Sequence, residues 1–211
     1  MRTYKKMQEL NTQSTKNASI SPTETDRSFP LNQAVEDFVS THFQAISGCL
    51  VVGICGPSGS GKTVMAKEIQ RRYGGVLLSQ DKYFARQCMP DLVDPKPWDS
   101  HGKNYETPKG VNCENLLRDL QTHRQELLQN PKEHLLIVEG HLIFTFPQLV
   151  SACDMKIFLS TNKEICQQRR WFRTPRPESI KEEWFAWYEE VIWQQHLKYR
   201  PTIINNAEVI L

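Results

Sequence analysis

Gly56, Pro57, Ser58, Gly59, Ser60, Gly61, Lys62 and Thr63 spell GPSGSGKT, the phosphate-binding pattern GxxxxGK(S/T), directly after the apolar run Leu50, Val51, Val52, Gly53, Ile54. Such a match arises by chance in about one chain per hundred of this length. The context raises its weight. A buried-strand pattern precedes the loop, and Met65, Ile69 and Tyr73 recur at helical spacing after it until Gly74 and Gly75. Strand, glycine loop and helix in that order commit the chain to an α/β fold. The glycines let backbone N–H groups turn inward around an anion, and the helix N-terminus behind them favours negative charge. Lys62 then reaches the β- and γ-phosphates of a nucleotide, and the Thr63 hydroxyl suits the Mg²⁺ that accompanies it.

At 211 residues the chain suits one α/β domain. The formal net charge of +2 comes from interspersed acids and bases without a basic stripe, so nucleic acid is not an expected partner. Six cysteines lie far apart with no CxxC pair, which predicts reduced thiols and neither a zinc site nor a disulfide framework. The longest apolar runs are strand-sized, so no membrane segment is expected. Glu9, Glu24 and Asp26 argue against a mitochondrial presequence, and a cytoplasmic location is the expectation.

Residues 1–30 are rich in Ser, Thr, Asn, Gln and Lys and read as a flexible extension, with the folded domain over 31–211. Leu31, Val35, Phe38, Val39 and Phe43 predict an amphipathic helix that covers the sheet. The apolar run from Val76 to Ser79 delivers Gln80, Asp81, Lys82, Tyr83 and Phe84 at its carboxyl end, where open parallel sheets bind ligands. An acidic residue there can face an attacking hydroxyl, which makes Asp81 a candidate. Residues 86–109 carry Pro90, Pro95, Pro97 and Pro108 without a sustained period and read as a long loop able to close over a substrate. From Asn112 a helix is predicted with Leu116, Leu117, Leu120, Leu127 and Leu128 in the core.

Leu135, Leu136, Ile137 and Val138 predict another buried strand, ending in Glu139 where phosphate-loop proteins keep an acid near Mg²⁺. After the strand at Met155 to Leu159, Thr161 and Glu164 have capping-box spacing. The helix they begin runs into Arg169, Arg170, Arg173 and Arg176, more guanidinium groups than a helix end requires and suited to phosphate oxygens. Ile180, Trp184, Trp187, Tyr188, Val191 and Tyr199 predict one face of a long helix ended by Pro201. Ala207 to Leu211 read as a last strand, which completes a parallel five-stranded sheet with helices on both faces and an arginine-rich lid.

These pieces resemble the nicotinamide riboside kinase and uridine kinase family of phosphate-loop small-molecule kinases. The resemblance rests on GPSGSGKT, on SQDKYF at 79–84, NYETP at 104–108, VEGHLIF at 138–144 and RRWFRTPR at 169–176. It also includes WQQHLKYR at 193–200, similar to the riboside kinases, and NNAEVIL at the end, similar to the uridine kinases. It implies transfer of phosphate from MgATP to the 5′-hydroxyl of a ribonucleoside, nicotinamide riboside or uridine/cytidine. It gives Asp81 the place of the catalytic carboxylate, Tyr105 an aromatic against the base and Glu106 a carboxylate on ribose hydroxyls. By the same resemblance Glu139 stands near the metal and Arg173 in the lid over the reacting groups; Lys82 is a candidate for binding the acceptor and Arg169 for binding ATP. Two positions depart from the family: Glu106 is one methylene longer than the usual Asp, and Pro175 stands where the riboside kinases often carry lid residues that help form the base pocket. Residues 121–134 lack the Tyr-x-Phe hairpin strand of uridine kinases, which favours the riboside kinases.

Two other readings compete with this one. A GTPase-like switch would use Asp99 to Gly102 as DxxG, but Ile165 stands where the guanine-binding Asp of NKxD is required after Asn162 and Lys163. A nucleotide-binding protein without kinase activity would not need Lys62, Thr63, Asp81 and Glu139 together.

Overall fold

The computed structural model describes residues 33–45, 48–98, 102–129 and 134–211. The N-terminal extension, Leu31 and most of the DxxG stretch lie outside the described residues. Five parallel strands form one sheet in the order β2-β3-β1-β4-β5: β1 is Leu50–Cys55, β2 Val76–Ser79, β3 Leu135–Gly140, β4 Met155–Phe158 and β5 Val209–Ile210. All five strand positions match the apolar runs of the sequence.

The period of two along each strand splits the core into two layers. Leu50, Val52 and Ile54 of β1 and Leu135 and Ile137 of β3 face a layer that holds Val35 and Val39 of α1 (Gln33–Ala45) and Met65, Ala66 and Ile69 of α2 (Lys62–Tyr73). Val51, Cys55, Leu136 and Val138 face the opposite layer. There α3 (Cys113–Leu128), α4 (Pro147–Ala152) and α7 (Gln194–Asn205) contribute residues such as Leu116, Leu149 and Ile203. Each fully buried aliphatic side chain contributes roughly 1.5–3 kcal/mol, so the alternation sets the strand register firmly. Because the chain leaves β1 for β2 on the far side of β3, and later crosses over β1 to β4, the topology reverses at the carboxyl end of β1, where the glycine loop follows.

Helix ends follow local chemistry. The Gly74 N–H closes α2 on the Gln70 carbonyl at 2.8 Å. The Asn112 side chain caps α3 by accepting from the Asn115 N–H at 2.9 Å. Three expectations are corrected. Leu128 is 52 % exposed, because it follows the buried Leu127 by one residue and so turns about 100° off the apolar face. Thr161 does not cap α5 (Lys163–Phe172), whose N-cap is Asn162; its hydroxyl donates to the Ser60 carbonyl at 3.3 Å. Pro201 lies inside α7 and does not end it, since the buried Ile203 downstream anchors the last turn.

The aromatic stretch after the lid is also not one regular helix. It runs as α6 (Lys181–Trp187), a π-helical segment over Tyr188–Trp193, and then α7. Trp184 and Tyr188 join Cys166, Trp171 and Ile192 in a third cluster beneath the arginine segment. The long loop is pinned by isolated bridges between Phe84 and Val111 and between Asp91 and Lys103.

Candidate active site

The glycine loop has the form its sequence predicts. Gly59 and Gly61 take positive φ of 95° and 101°, a region open to glycine and strained for other residues. The Lys62 ammonium, largely buried, folds back to donate to the Pro57 carbonyl at 2.9 Å. Ser58, Gly59, Gly61, Lys62 and Thr63 line a cleft of about 420 Å³ together with Glu139 on the facing strand end. Gly56, Pro57 and Ser60 belong to the loop but do not line this cleft. Ser60 Oγ is buried and has no hydrogen-bond partner among the described residues, which suits a loop built to close on an added polar group.

Glu139 is the penultimate residue of β3, in register with Ile54 of β1 and Ser79 of β2. Only 3 % exposed, its carboxylate accepts from the Ser79 hydroxyl at 2.6 Å and the Thr63 hydroxyl at 3.3 Å. Two hydroxyls and one carboxylate are oxygen donors of the kind Mg²⁺ takes, one or two from protein and the rest from water and phosphate. The donor set therefore fits a nucleotide-bound Mg²⁺. Among the described residues no cluster of three or more His, Cys, Asp or Glu offers a separate metal centre.

A second cleft of about 370 Å³ opens beside the first. Of the two, only this cleft is lined by Phe84, Tyr105, Glu106 and Arg176, whereas Ser58, Asp81, His141, Arg170 and Arg173 line both. The carboxylate of Asp81, on the turn Gln80–Tyr83 after β2, thus stands at the junction of the two. Glu106 is 5 % exposed; its backbone N–H is fixed by Asn104 Oδ1 at 3.0 Å, and its carboxylate lies 3.3 Å from His141 Nε2 and 3.6 Å from Arg170 Nη1. Tyr105 meets Phe84 edge to face at 5.1 Å. Lys82 is exposed and lines neither cleft.

The arginine segment sits over the loop. Arg169 donates to the Ser60 carbonyl at 3.3 Å, and Arg170 bonds the Ser58 hydroxyl. The Tyr188 hydroxyl donates to the Ser58 carbonyl at 3.1 Å, and burial pushes its pKa far up, so it stays a neutral donor. Arg173 is exposed at the rim of both clefts. Arg176 lies 4.9 Å over the Trp184 ring, and burial, with the Arg170 charge behind it, draws its pKa below the usual arginine value.

Sequence reasoning did not single out Ser79, Gln80, Phe84 or His141 for the site. Each lies inside a motif already noted, but side-chain direction is not readable from spacing alone.

A family profile described as AAA domain matches residues 52–184. Human nicotinamide riboside kinase 1 is 26% identical over 161 residues, covering 71% of this chain and 76% of that protein. Uridine kinase of Leuconostoc citreum (strain KM20) is 32% identical over 145 residues, covering 57% of this chain and 66% of that protein. Among solved structures, a candidate fructose transport system kinase from Silicibacter sp. TM1040 shares the fold with a TM-score of 0.58 at 14% identity, over 85% of this chain and 100% of that one. With a glycine loop, a strand-end carboxylate and an arginine lid arranged around two joined clefts, the chain belongs to the AAA domain family, and its similarity is to the phosphate-loop small-molecule kinases named nicotinamide riboside kinase and uridine kinase.

Proposed function

We propose that the protein transfers the γ-phosphoryl group of MgATP to the 5′-hydroxyl of a ribonucleoside. The observation that carries this reading is the shared wall of the two clefts: Asp81, Arg170 and Arg173 touch both the loop-lined cleft and its neighbour. A single-substrate nucleotidase has no use for a second cleft joined to the first at a carboxylate.

In this reading the loop N–H groups and Lys62 hold the phosphates of ATP, and Thr63 with Glu139 holds the metal. Bound Mg²⁺ supplies charge neutralisation on the phosphate oxygens. Asp81 accepts the proton of the acceptor hydroxyl as the new O–P bond forms and the bond to the leaving ADP oxygen breaks. Lys62, Arg169 and Arg173 offset the negative charge of the transferring group, where positioning and electrostatics contribute more than covalent help. Tyr105 stacks the base and Glu106 accepts from the sugar hydroxyls. Closure of the arginine segment excludes water and so suppresses ATP hydrolysis.

The test is a panel of purified protein, MgATP and single acceptors, namely ribonucleosides, pantothenate and ribulose phosphate, with ADP release and product mass measured. A 5′-monophosphate product from a ribonucleoside is expected. ATP binding without stimulation by any acceptor would leave a nucleotide-binding protein without kinase activity as the better reading.

A further inference from the structure

Two side chains that line neither cleft reach the backbone of the glycine loop. The Tyr188 hydroxyl donates to the Ser58 carbonyl at 3.1 Å, and the Thr161 hydroxyl donates to the Ser60 carbonyl at 3.3 Å. They come from distant parts of the chain: Tyr188 opens the π-helical segment, and Thr161 lies between β4 and α5. Tyr188 is fully buried, and its ring stacks on Trp184 at 5.5 Å and 30°, so packing in the third cluster sets the direction of its hydroxyl. Inside the loop, the Ser60 N–H closes on the Pro57 carbonyl at 3.0 Å, which leaves the next two carbonyls of the serines to these outside donors.

A planar trans peptide points its C=O and the N–H of the following residue in opposite directions. Among the described residues no peptide bond is cis. A donor that fixes the Ser58 carbonyl therefore also fixes the Gly59 N–H, and one that fixes the Ser60 carbonyl fixes the Gly61 N–H, each turned away from its donor. Both donors stand outside the cleft that Gly59 and Gly61 line. The positive φ of these two glycines is the left-handed half of an anion-binding nest, in which successive N–H groups converge. Glycine is also the residue freest to turn a peptide over, so a nest built on it gains from being held.

The Ser60 carbonyl has a second donor, Arg169 at 3.3 Å. Arg169 is exposed and carries the charge that suits a phosphate, whereas Thr161 is half-buried and uncharged. When Arg169 turns to the nucleotide, Thr161 keeps the carbonyl. Resting on the reading that the loop holds nucleotide phosphates, we propose that Tyr188 and Thr161 are positioning residues, which aim the Gly59 and Gly61 N–H groups at the phosphates before the nucleotide arrives. The nucleotide then binds without having to order these two peptide groups.

The test is calorimetric titration of the full chain with ADP, with thermal unfolding of each variant alongside. Tyr188→Phe keeps the ring on Trp184 and removes only the hydroxyl; Thr161→Val keeps the shape and removes the other. Each is expected to weaken ADP binding about fivefold, the scale of one neutral hydrogen bond. Thr161→Ser, which loses the methyl and keeps the hydroxyl, is expected to retain wild-type affinity, a rescue that a purely packing role would not give. Unchanged ADP affinity in folded Tyr188→Phe or Thr161→Val overturns the proposal, and so does an equal loss in Thr161→Ser. Should Tyr188→Phe fail to fold, the two Thr161 variants still decide. A wild-type protein that binds no ADP overturns the phosphate-site reading itself, a result distinct from wild-type binding that the variants leave unchanged.

Discussion

His141 Nε2 lies 3.3 Å from Glu106 Oε2, and the opposite ring nitrogen, Nδ1, lies 3.2 Å from Gln80 Nε2. The Gln80 amide is oriented by its other end, since Oε1 accepts the Leu142 N–H at 2.9 Å. Its nitrogen therefore donates, Nδ1 accepts, and the imidazole proton is assigned to Nε2, where it is shared between Glu106 and the Tyr105 carbonyl at 3.2 Å. A fully buried glutamine next to Asp81 thus orients the carboxylate assigned to the sugar.

Removing that donor tests the arrangement. His141→Ala is expected to raise the acceptor KM about tenfold, the value of one charge-assisted hydrogen bond, and to change KM for ATP less. Steady-state kinetics varying each substrate in turn separates the two. An unchanged acceptor KM would remove His141 from this role.

Asp81 is the carboxylate shared by both clefts. Asp81→Asn keeps the shape and removes the base, so kcat is expected to fall roughly 10²–10⁴-fold while ATP still binds. Turnover assays paired with calorimetric ATP titration check this; normal turnover would reassign the base.

Glu139 accepts two hydroxyls and carries the only charge in that group. Glu139→Gln is expected to raise the Mg²⁺ concentration for half-maximal turnover by roughly 10–100-fold at fixed ATP. A Mg²⁺ titration of initial rates reads this directly, and an unshifted midpoint would place the metal elsewhere.

Two of the loop glycines, Gly59 and Gly61, differ in what a side chain would meet. A Cβ at Gly59 would stand 2.4 Å from the Cys166 carbonyl oxygen, whereas at Gly61 the nearest atom, of Arg169, is 3.8 Å away. Gly59→Ala is expected to cost about 2–4 kcal/mol and to displace α5, and Gly61→Ala about 1 kcal/mol from backbone strain alone. Denaturant unfolding of the two variants gives the comparison, and equal losses would contradict it.

His196 on α7 is 8 % exposed and stacks on Phe158 at 6.2 Å. Burial, aided by Arg200, lowers its pKa from 6.5 to about 4. The unfolded chain therefore binds this proton more readily, so the stability that the neutral ring contributes is full above pH 6.5 and is lost as pH falls from 6.5 through about 4. The total is on the order of 3 kcal/mol. Unfolding measured across that range should show the slope in the wild-type protein and a flatter one in His196→Gln.

Much of this was legible in the residues. The five strands followed from apolar runs, because a strand buried on both faces leaves a near-continuous signature. The loop followed from glycines and Lys62, whose spacing has few other uses. Less legible were elements governed by distant partners. Thr161 has the spacing of a cap, but the Ser60 carbonyl, far away in sequence, claims its hydroxyl. Pro201 reads as a stop, but burial of Ile203 outweighs the lost hydrogen bond.

The sequence by itself determined the α/β class, the strand positions and the phosphate loop, since these depend on periodicity and on local backbone geometry. Only the tertiary structure decided that Asp81 lines both clefts, that His141 and Gln80 orient Glu106, and that Arg176 packs over the Trp184 and Trp171 rings. Those are relations between side chains from different strand ends and from the lid, and they exist only once β2, β3 and α5 are brought together around the carboxyl end of β1.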